Sequence, residues 1–258
     1  MSVKVTILGC GASLGVPAAG NFWGDCDPSN PKNYRTRASI LIQSETTNIL
    51  VDTTPDVRIQ LNRHDIDKID GIIYSHDHSD HINGMDDLRV ISYVMGHPIE
   101  VYTNTDTSES LQKRFNYVFN GGYGIYKPFL KLNERPYGVN KIGDIEMTWF
   151  EQDHGTCKTI GIRVGDFAYS VDMLDLNDAA LEALKGVKTW VVDAGGYKLE
   201  DENLTTHASL GRVQKWVEHL GVEKTYLTVQ TGRMDYDVLC DELPDHIRPL
   251  YDGLELEI

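Results

Sequence analysis

Ile72-Ile73-Tyr74-Ser75-His76-Asp77-His78-Ser79-Asp80-His81 is a short apolar run that leads directly into four metal-capable side chains. In an extended segment side chains alternate in direction, so His76, His78 and Asp80 project to one side, and His81 follows at the turn into a helix. Imidazole suits zinc, iron and manganese, and carboxylates suit the harder ions of that set. The spacing therefore predicts one ion held by the two histidines, with Asp80 and His81 left for a second ion about 3.5–4 Å away.

A histidine-rich surface loop is the competing interpretation of this stretch. Three of the nine histidines of the chain fall here, directly after a buried-looking strand. That position favours a metal site.

The run His76-Asp77-His78-Ser79-Asp80-His81 resembles the His-x-His-x-Asp-His motif of the metallo-β-lactamase superfamily. The resemblance implies an α/β fold of four layers, an αββα sandwich with two sheets face to face and helices outside, as a single domain over residues 1–258. It is greatest to the phosphodiesterase branch that includes the phosphonate-pathway cyclic phosphodiesterase and, more distantly, the transfer-RNA 3′-processing nucleases. The alternation of strands and helices permits this fold.

The same resemblance assigns roles to three residues that follow other predicted strands. His154 takes the place of the third histidine of the first metal, and Asp172 takes the place of the carboxylate that bridges both metals. Asp52 takes the place of an aspartate that accepts a hydrogen bond from behind the histidine motif. From the residues alone, a helix-capping or turn aspartate is an equally good interpretation of Asp52.

His207, in Thr205-Thr206-His207-Ala208-Ser209, is the second catalytic candidate beside Asp80. The resemblance implies that this histidine donates a proton to the leaving oxygen. Alternatively, the segment is the polar N-terminus of a helix predicted over Leu210–Leu220, where Thr205 or Thr206 caps the helix and His207 has no chemical role.

One position departs from the family pattern. The family places a last metal-binding histidine after the next strand, in a Leu-Thr-His context, and this chain reads Leu227-Thr228-Val229-Gln230. An isopropyl group cannot bind a metal. Either a water or substrate oxygen completes the second ion's ligands, or Gln230 reaches in, or only one ion binds tightly. We therefore expect two divalent cations, zinc or manganese, with the second bound more weakly.

Four residues are candidates for substrate contacts. Arg35 and Arg37 offer guanidinium groups to a phosphate, although exposed arginines are more often merely solvated. The glycine-rich segment 121–128 has the character of a lid, in which Tyr126 can stack on a base or ring. Gln230 is the fourth candidate.

Composition limits the partners. The chain has 24 Lys and Arg against 39 Asp and Glu, a net charge of −15, which argues against long nucleic acid and anionic membranes. The four cysteines lack Cys-x-x-Cys spacing, and the first residues are too short and too alternating for a signal peptide, so we expect a cytoplasmic protein with reduced thiols. The expected partner is a small anionic phosphodiester, and the composition is compatible with a homodimer.

The resulting expectation is hydrolysis of a small phosphodiester, cyclic or nucleotide-like, by a hydroxide that the cations activate. Two alternatives stay open. One is hydrolysis of a thioester or lactone by an enzyme of the same fold. The other is a catalytically weak nucleotide-binding module, because Val229 stands in place of the last metal-binding histidine.

Overall fold

Two β-sheets form the middle of the molecule. The structure is a computed structural model, and it describes residues 3–122, 124–125, 127–200 and 203–258. The strands in these residues are β1 (Lys4–Gly9), β2 (Ser39–Gln43), β3 (Asn48–Val51), β4 (Gly71–Ile73), β5 (Ile99–Thr103), β6 (Leu130–Glu134), β7 (Gly138–Ile142), β8 (Ile145–Asp153), β9 (Lys158–Val164), β10 (Phe167–Ser170), β11 (Asp175–Leu176), β12 (Thr189–Asp193), β13 (Lys224–Thr228), β14 (Ile247–Pro249) and β15 (Glu255–Glu257).

Eight α-helices accompany these strands in the described part of the chain. They are α1 (Val57–Arg63), α2 (Ser79–Ile82), α3 (Arg89–Met95), α4 (Thr105–Arg114), α5 (Asn116–Asn120), α6 (Asp178–Leu184), α7 (Leu210–Leu220) and α8 (Tyr236–Glu242). Short 3₁₀ helices cover Pro31–Asn33 and Met85–Leu88.

The strand order places the loops that carry polar residues at one end of the sandwich. The first sheet runs β15-β1-β2-β3-β4-β5-β6, and the second runs β11-β8-β9-β10-β12-β13-β14, with β7 paired to β8. Strands β3 to β6 are parallel, as are β10, β12, β13 and β14. Because the carboxyl ends of parallel strands lie at the same edge of a sheet, the loops after β3, β4, β10, β12 and β13 can converge.

Three apolar clusters separate the layers. The cluster between the sheets contains side chains such as Ile7, Ile40 and Trp149. The other two join the outer faces of the sheets to helices α1–α5 and α6–α8. Strand β4 is buried on both faces because a sheet and a helical layer cover it. The four-layer αββα sandwich is therefore confirmed.

The predicted helices agree best with the structure where one helical pattern runs from the N-cap to the C-cap. Helix α7 covers Leu210–Leu220 as expected, and it ends at Gly221 in the left-handed conformation. Its cap is Ser209, whose side chain accepts from the Arg212 backbone N–H, so the expectation of a cap at Thr205 or Thr206 is wrong. Residues 79–95 form α2, a 3₁₀ turn and α3, and not one continuous helix.

Three residues just past strand ends adopt left-handed backbone conformations that are uncommon outside glycine. They are Asp52 after β3 (φ 64°), Asp172 after β10 (φ 47°) and Val229 after β13 (φ 57°). Each occurs where the chain leaves a sheet at the converging edge. Because the backbone changes direction sharply there, the side chain no longer follows the alternation between the two faces of the sheet.

The described helices include none that is both long and apolar enough to span a bilayer. All four cysteines are free thiols.

Candidate metal centre

Two groups of metal-capable side chains meet at the converging edge and share one carboxylate. One group contains His76, His78, His154 and Asp172, and the other contains Asp80, His81 and Asp172. Asp172 also forms a third group of metal-capable side chains with Asp193 and His207. Within each group, one ligand atom per residue lies within 4.8 Å of all the others. The sharing of Asp172 matches a carboxylate that bridges two cations.

Hydrogen bonds behind the rings aim the histidines at this centre. The Nδ1 atom of His81 lies 2.7 Å from Asp52 Oδ2, and that of His154 lies 2.6 Å from the Thr206 carbonyl oxygen. Both acceptors require a proton on Nδ1, so Nε2 is the ring atom left to bind a cation. Asp52 therefore lies where a supporting hydrogen-bond acceptor is expected, and it caps no helix.

His76 is oriented by a relay through its neighbour. Its Nδ1 lies 3.0 Å from Ser75 Oγ, which in turn donates to Asp52 Oδ2 at 2.7 Å. Asp52 thus fixes two of the metal-capable histidines at once. Ser75 was not among the residues expected at the site.

The donor set fits a cation. The buried Nε2 atom of His76 has no hydrogen-bond partner. The Nε2 atoms of His76, His81 and His154 lie 3.6, 3.4 and 3.4 Å from Asp172 Oδ2. A buried polar atom without a partner costs free energy, and a cation among these lone pairs would remove that cost. The nitrogen and oxygen donors suit zinc or manganese.

Burial and charge set the protonation states. Burial lowers the pKa of His154, and it lowers that of His76 well below the ordinary value together with the charge of His81. Neutral imidazole is the form that binds a metal. Although burial alone would raise it, the pKa of Asp172 is held well below its usual range by His81, so this carboxylate stays ionised.

His207 lies beside the centre with a carboxylate behind it. Its Nδ1 is 2.7 Å from Asp193 Oδ2, and its ring centroid is 5.0 Å from that of His154. Burial alone would lower the pKa of His207, but the charge and hydrogen bond of Asp193 outweigh it and raise the pKa to about 9. His207 therefore carries a proton at neutral pH, and its Nε2 is left to face the centre.

Asp193 was missed in the sequence analysis, although a signal existed. It is the last residue of the apolar strand β12, a position similar to those of Asp52 after β3 and Asp172 after β10. Besides His207, it accepts from the backbone N–H groups of Met173 and Gly195 at 2.7 Å each. These bonds join the loops after β10 and β12.

The loop that carries His207 is seated on the turn that carries His154. Gly155 adopts φ +75°, and a Cβ atom there would lie 2.0 Å from the Thr205 carbonyl oxygen. Only glycine allows this approach. The positions of the metal-capable His154 and of His207 are thereby linked.

Helix α4 holds the histidine motif from the other side. The Arg114 guanidinium donates to the Asp77 carbonyl oxygen, and the Ser110 hydroxyl donates to the Asp77 carboxylate. Contrary to the extended geometry expected through Asp80, that residue already lies in α2. The early helix directs Asp80 toward the group with His81 and leaves His76 and His78 in the other.

An open cavity of about 600 Å³ borders His76. Small-molecule sites commonly have volumes of this order. Its lining is mostly polar and is formed by His76, Asp77, Asp106, Thr107, Asp153, Gly155, Thr156, Cys157 and Lys158.

Two of the expected substrate contacts are wrong because the side chains are buried. Arg35 is 1% exposed, and its guanidinium contacts the Asn33 side chain and the Thr231 carbonyl oxygen. Gln230 has no exposure, and its amide donates to the Leu250 carbonyl oxygen at 2.9 Å. Gln230 therefore does not reach into the second group of ligands either.

The third expected substrate contact, Arg37, is paired with another side chain. Arg37 pairs with Asp56 at 3.1 Å and is partly buried. Tyr126 lies outside the described residues.

Comparisons with known proteins agree with this geometry. The family model described as "Beta-lactamase superfamily domain" matches residues 47–228. An octanoyltransferase of Porphyromonas gingivalis is 30% identical over 259 residues, a match that covers 98% of this chain and 51% of that protein. This chain thus spans about half the length of the curated relative that it matches.

Among solved structures, a diphosphatase from the PhnP family is 31% identical with a TM-score of 0.89, covering 100% of this chain and 98% of that one. The metallo-β-lactamase fold protein YhfI of Bacillus subtilis is 20% identical with a TM-score of 0.77, covering 100% and 99%. Human tRNase Z, short form, is 16% identical with a TM-score of 0.68, covering 98% of each chain. The last two show the shared fold alone. With most of its length matched by the family model, the chain belongs to the beta-lactamase superfamily, in which it lies close to the PhnP family.

Proposed function

We propose that this protein hydrolyses a small phosphodiester with the help of divalent cations held by the two ligand groups. The observation that carries the proposal is the pair of His207 and the buried Asp193, whose nitrogen and oxygen lie 2.7 Å apart beside the ligand groups. Ester hydrolysis needs a proton for the departing oxygen, and the buried Asp193 holds the His207 ring in place to supply it.

The first cation would be held by His76, His78, His154 and Asp172, and the second by Asp80, His81 and Asp172. When bound, such cations lower the pKa of water and neutralise charge on phosphoryl oxygens. Zinc and manganese both accept this mixture of imidazole and carboxylate.

The protein's own residues position and protonate the reactants. Asp193 holds the His207 ring through its Nδ1 atom. The proton on Nε2 can then pass to the leaving alkoxide. Asp80 remains ionised because His81, by hydrogen bond and charge, lowers its pKa despite burial. Its carboxylate can thus orient the attacking water as well as bind a cation.

Phosphoester chemistry is supported by the protein with the TM-score of 0.89, which is described as a diphosphatase. The leaving group of a phosphodiester is an alkoxide, whose high basicity makes a proton donor valuable. The cavity beside His76 has room for the group that the leaving oxygen carries.

The direct test is hydrolysis of bis(p-nitrophenyl) phosphate by chelator-stripped protein reloaded separately with zinc and with manganese. His76→Ala serves as the blank because its Nε2 belongs to the ligand set. Metal-dependent turnover that is absent from the blank is the expected result. The proposal fails if neither metal supports turnover.

A second candidate, hydrolysis of an acyl thioester, is favoured by one finding, the octanoyltransferase name of the Porphyromonas gingivalis relative. About half of that protein lies outside the match, so acyl transfer can belong to its other half. A thiolate leaves without being protonated, so a proton donor such as His207 would contribute less to that reaction. Release of thiol from an octanoyl thioester, at a rate above that of diester hydrolysis, would favour this candidate.

A further inference from the structure

Asp172, Asp193 and His207 form a third group of metal-capable side chains beside the two ligand groups. One ligand atom of each residue lies within 4.8 Å of those of the other two. Asp193 is completely buried, Asp172 is 4% exposed, and the His207 side chain is 29% exposed. The third group therefore joins two buried carboxylates to a histidine that solvent can reach.

The closeness of the two carboxylates requires a positive charge beside them. Burial disfavours an ionised carboxylate, and two carboxylates within 4.8 Å of each other repel. A protonated His207, whose Nδ1 lies 2.7 Å from Asp193 Oδ2, supplies one positive charge. A divalent cation on the same three side chains would supply two.

The third group offers as many protein ligands as the second. Asp80, His81 and Asp172 provide three ligand atoms, and so do Asp172, Asp193 and His207. A carboxylate has two oxygens and about four lone-pair sites, so Asp172 can contribute to more than one group. Because a cation in the third group must also displace a proton from His207, we expect this group to be filled last.

A cation on His207 and the role of proton donor exclude each other. An imidazole binds a metal through a ring lone pair, so binding removes one proton from the imidazolium and releases it to water. A cation on Nε2 would occupy the atom that protonates the leaving oxygen. A cation on Nδ1 would break the hydrogen bond with which Asp193 holds the ring.

We propose that Asp172, Asp193 and His207 form a third cation position, which zinc fills once the first two groups are occupied, and that zinc bound there inhibits the proposed hydrolysis. Nitrogen and oxygen ligands of this kind bind zinc more tightly than manganese. The binding of zinc is inferred from the positions of the three side chains, and the inhibition rests on the proposed function.

Zinc binding is tested by calorimetry on chelator-stripped wild type, His207→Ala and the control His219→Ala, with Zn²⁺ alone as the titrant. His219 is an exposed histidine in the last turn of α7 and belongs to none of the three groups. We expect wild type and His219→Ala to bind one zinc ion more than His207→Ala, and to bind it most weakly. The two tighter ions should change in affinity by less than about threefold.

A second variant keeps the test independent of the stability of His207→Ala. Asp193→Asn preserves the shape of the side chain but removes a carboxylate ligand, so it should lose the same weak zinc ion.

The inhibition is tested with two diesters that differ in leaving group. In wild type with the first two groups filled, excess zinc should slow cleavage of a methyl diester by up to the roughly 10²–10⁴-fold that a general acid supplies. A nitrophenyl diester, whose leaving group needs no proton, should slow by less than about twofold. In His207→Ala, excess zinc should alter neither rate.

Equal numbers of zinc ions, bound with equal affinities by wild type and His207→Ala, would overturn the inference. Equal inhibition of both diesters by excess zinc, or inhibition that persists in His207→Ala, would overturn the inhibitory role. Wild type that binds the additional zinc ion but cleaves neither diester would refute the proposed function and leave the third cation position standing.

Discussion

His207 is the residue whose chemistry distinguishes the proposed reaction most directly. If it protonates the leaving oxygen, His207→Ala should lower kcat/KM by roughly 10²–10⁴-fold for diesters with poor, alkoxide leaving groups. Nitrophenolate leaves without help, so p-nitrophenyl esters should lose much less. Parallel rate measurements on a methyl and a nitrophenyl ester of one phosphate check this. Equal losses on both would remove the proton-donor role.

Asp193 controls the pH range in which His207 is a proton donor. The protonated form is lost as pH rises through about 9, and without the Asp193 charge the pKa should fall toward the ordinary 6.5. Asp193→Asn should therefore move the alkaline decline of kcat toward neutral pH for substrates with poor leaving groups. A pH–rate profile from 5.5 to about 10 checks this. An unchanged alkaline limb would separate Asp193 from the proton transfer.

Asp252 is a buried carboxyl whose hydrogen-bond partners, Cys10 and Thr36, lie outside the ligand groups, and its ionisation affects stability. It accepts from the backbone N–H groups of Cys10 and Thr36, and burial nonetheless raises its pKa from 3.8 to about 6. A carboxyl whose pKa is raised on folding stabilises the fold below pH 4, and that contribution is lost as pH rises through 6. The difference corresponds to about 3 kcal/mol.

Asp252→Asn should accordingly lack this loss. We expect the free energy of unfolding of wild type, relative to the variant, to fall by about 3 kcal/mol between pH 4 and pH 7. Urea denaturation at several pH values measures it, with the fully exposed Asp245→Asn as control. A difference between wild type and Asp252→Asn that is independent of pH would contradict the assignment.

At the level of single elements, the turn after β8 links two parts of the site. Gly155 and Gly165 both have positive φ, but a Cβ atom meets the Thr205 carbonyl oxygen at the first and nothing within 4 Å at the second. Alanine at either position should cost about 1–2 kcal/mol of stability from the left-handed backbone.

Only Gly155→Ala should also displace the turn from the loop of His207. We expect it to lower kcat/KM by about 10-fold or more, since small displacements at a site are costly, and Gly165→Ala to leave kcat/KM within about twofold. Steady-state kinetics and urea denaturation on both variants check this. Similar activity in the two variants would show that the close approach at Gly155 does not position His207.

The predicted secondary structure is correct where it depends only on the local sequence pattern. Helix α7 has its predicted bounds, Leu210–Leu220. Residues 105–120 form two helices, α4 and α5, with a break at Phe115. Phe115 packs against the outer core of the first sheet, and tertiary packing of this kind overrides helical periodicity.

For the whole molecule, metal binding and folding should be coupled. The ligands come from loops after β4, β8 and β10, so the ligand set exists only in the folded chain. A cation at 100-fold above its Kd adds about 2.7 kcal/mol to stability. Chelation should therefore lower Tm by roughly 5–10 °C for a domain of this size.

Differential scanning calorimetry with and without chelator measures this change. His76→Ala is the control, since it should show little response to chelator. A wild-type Tm that does not respond to either chelation or added zinc would indicate that the cluster holds no ion.

Local pattern was sufficient to predict the ligand cluster of His76, His78, Asp80 and His81, because these residues are neighbours whose geometry follows from one strand end and one helix start. It was also sufficient for most strands, whose apolar runs are set by burial. The family resemblance added His154, Asp172 and His207 to the predicted site. The structure brings these three residues to the same edge of the sheets.

Tertiary structure decided which side chains reach that edge and which are buried beneath it. Arg35 and Gln230 are as polar as any ligand, but packing between loops encloses them. Asp193 could not be recognised in the linear chain, because the partner that defines its role, His207, comes from a different loop. Contacts between distant segments depend on how the sheets stack, and no local periodicity encodes that arrangement.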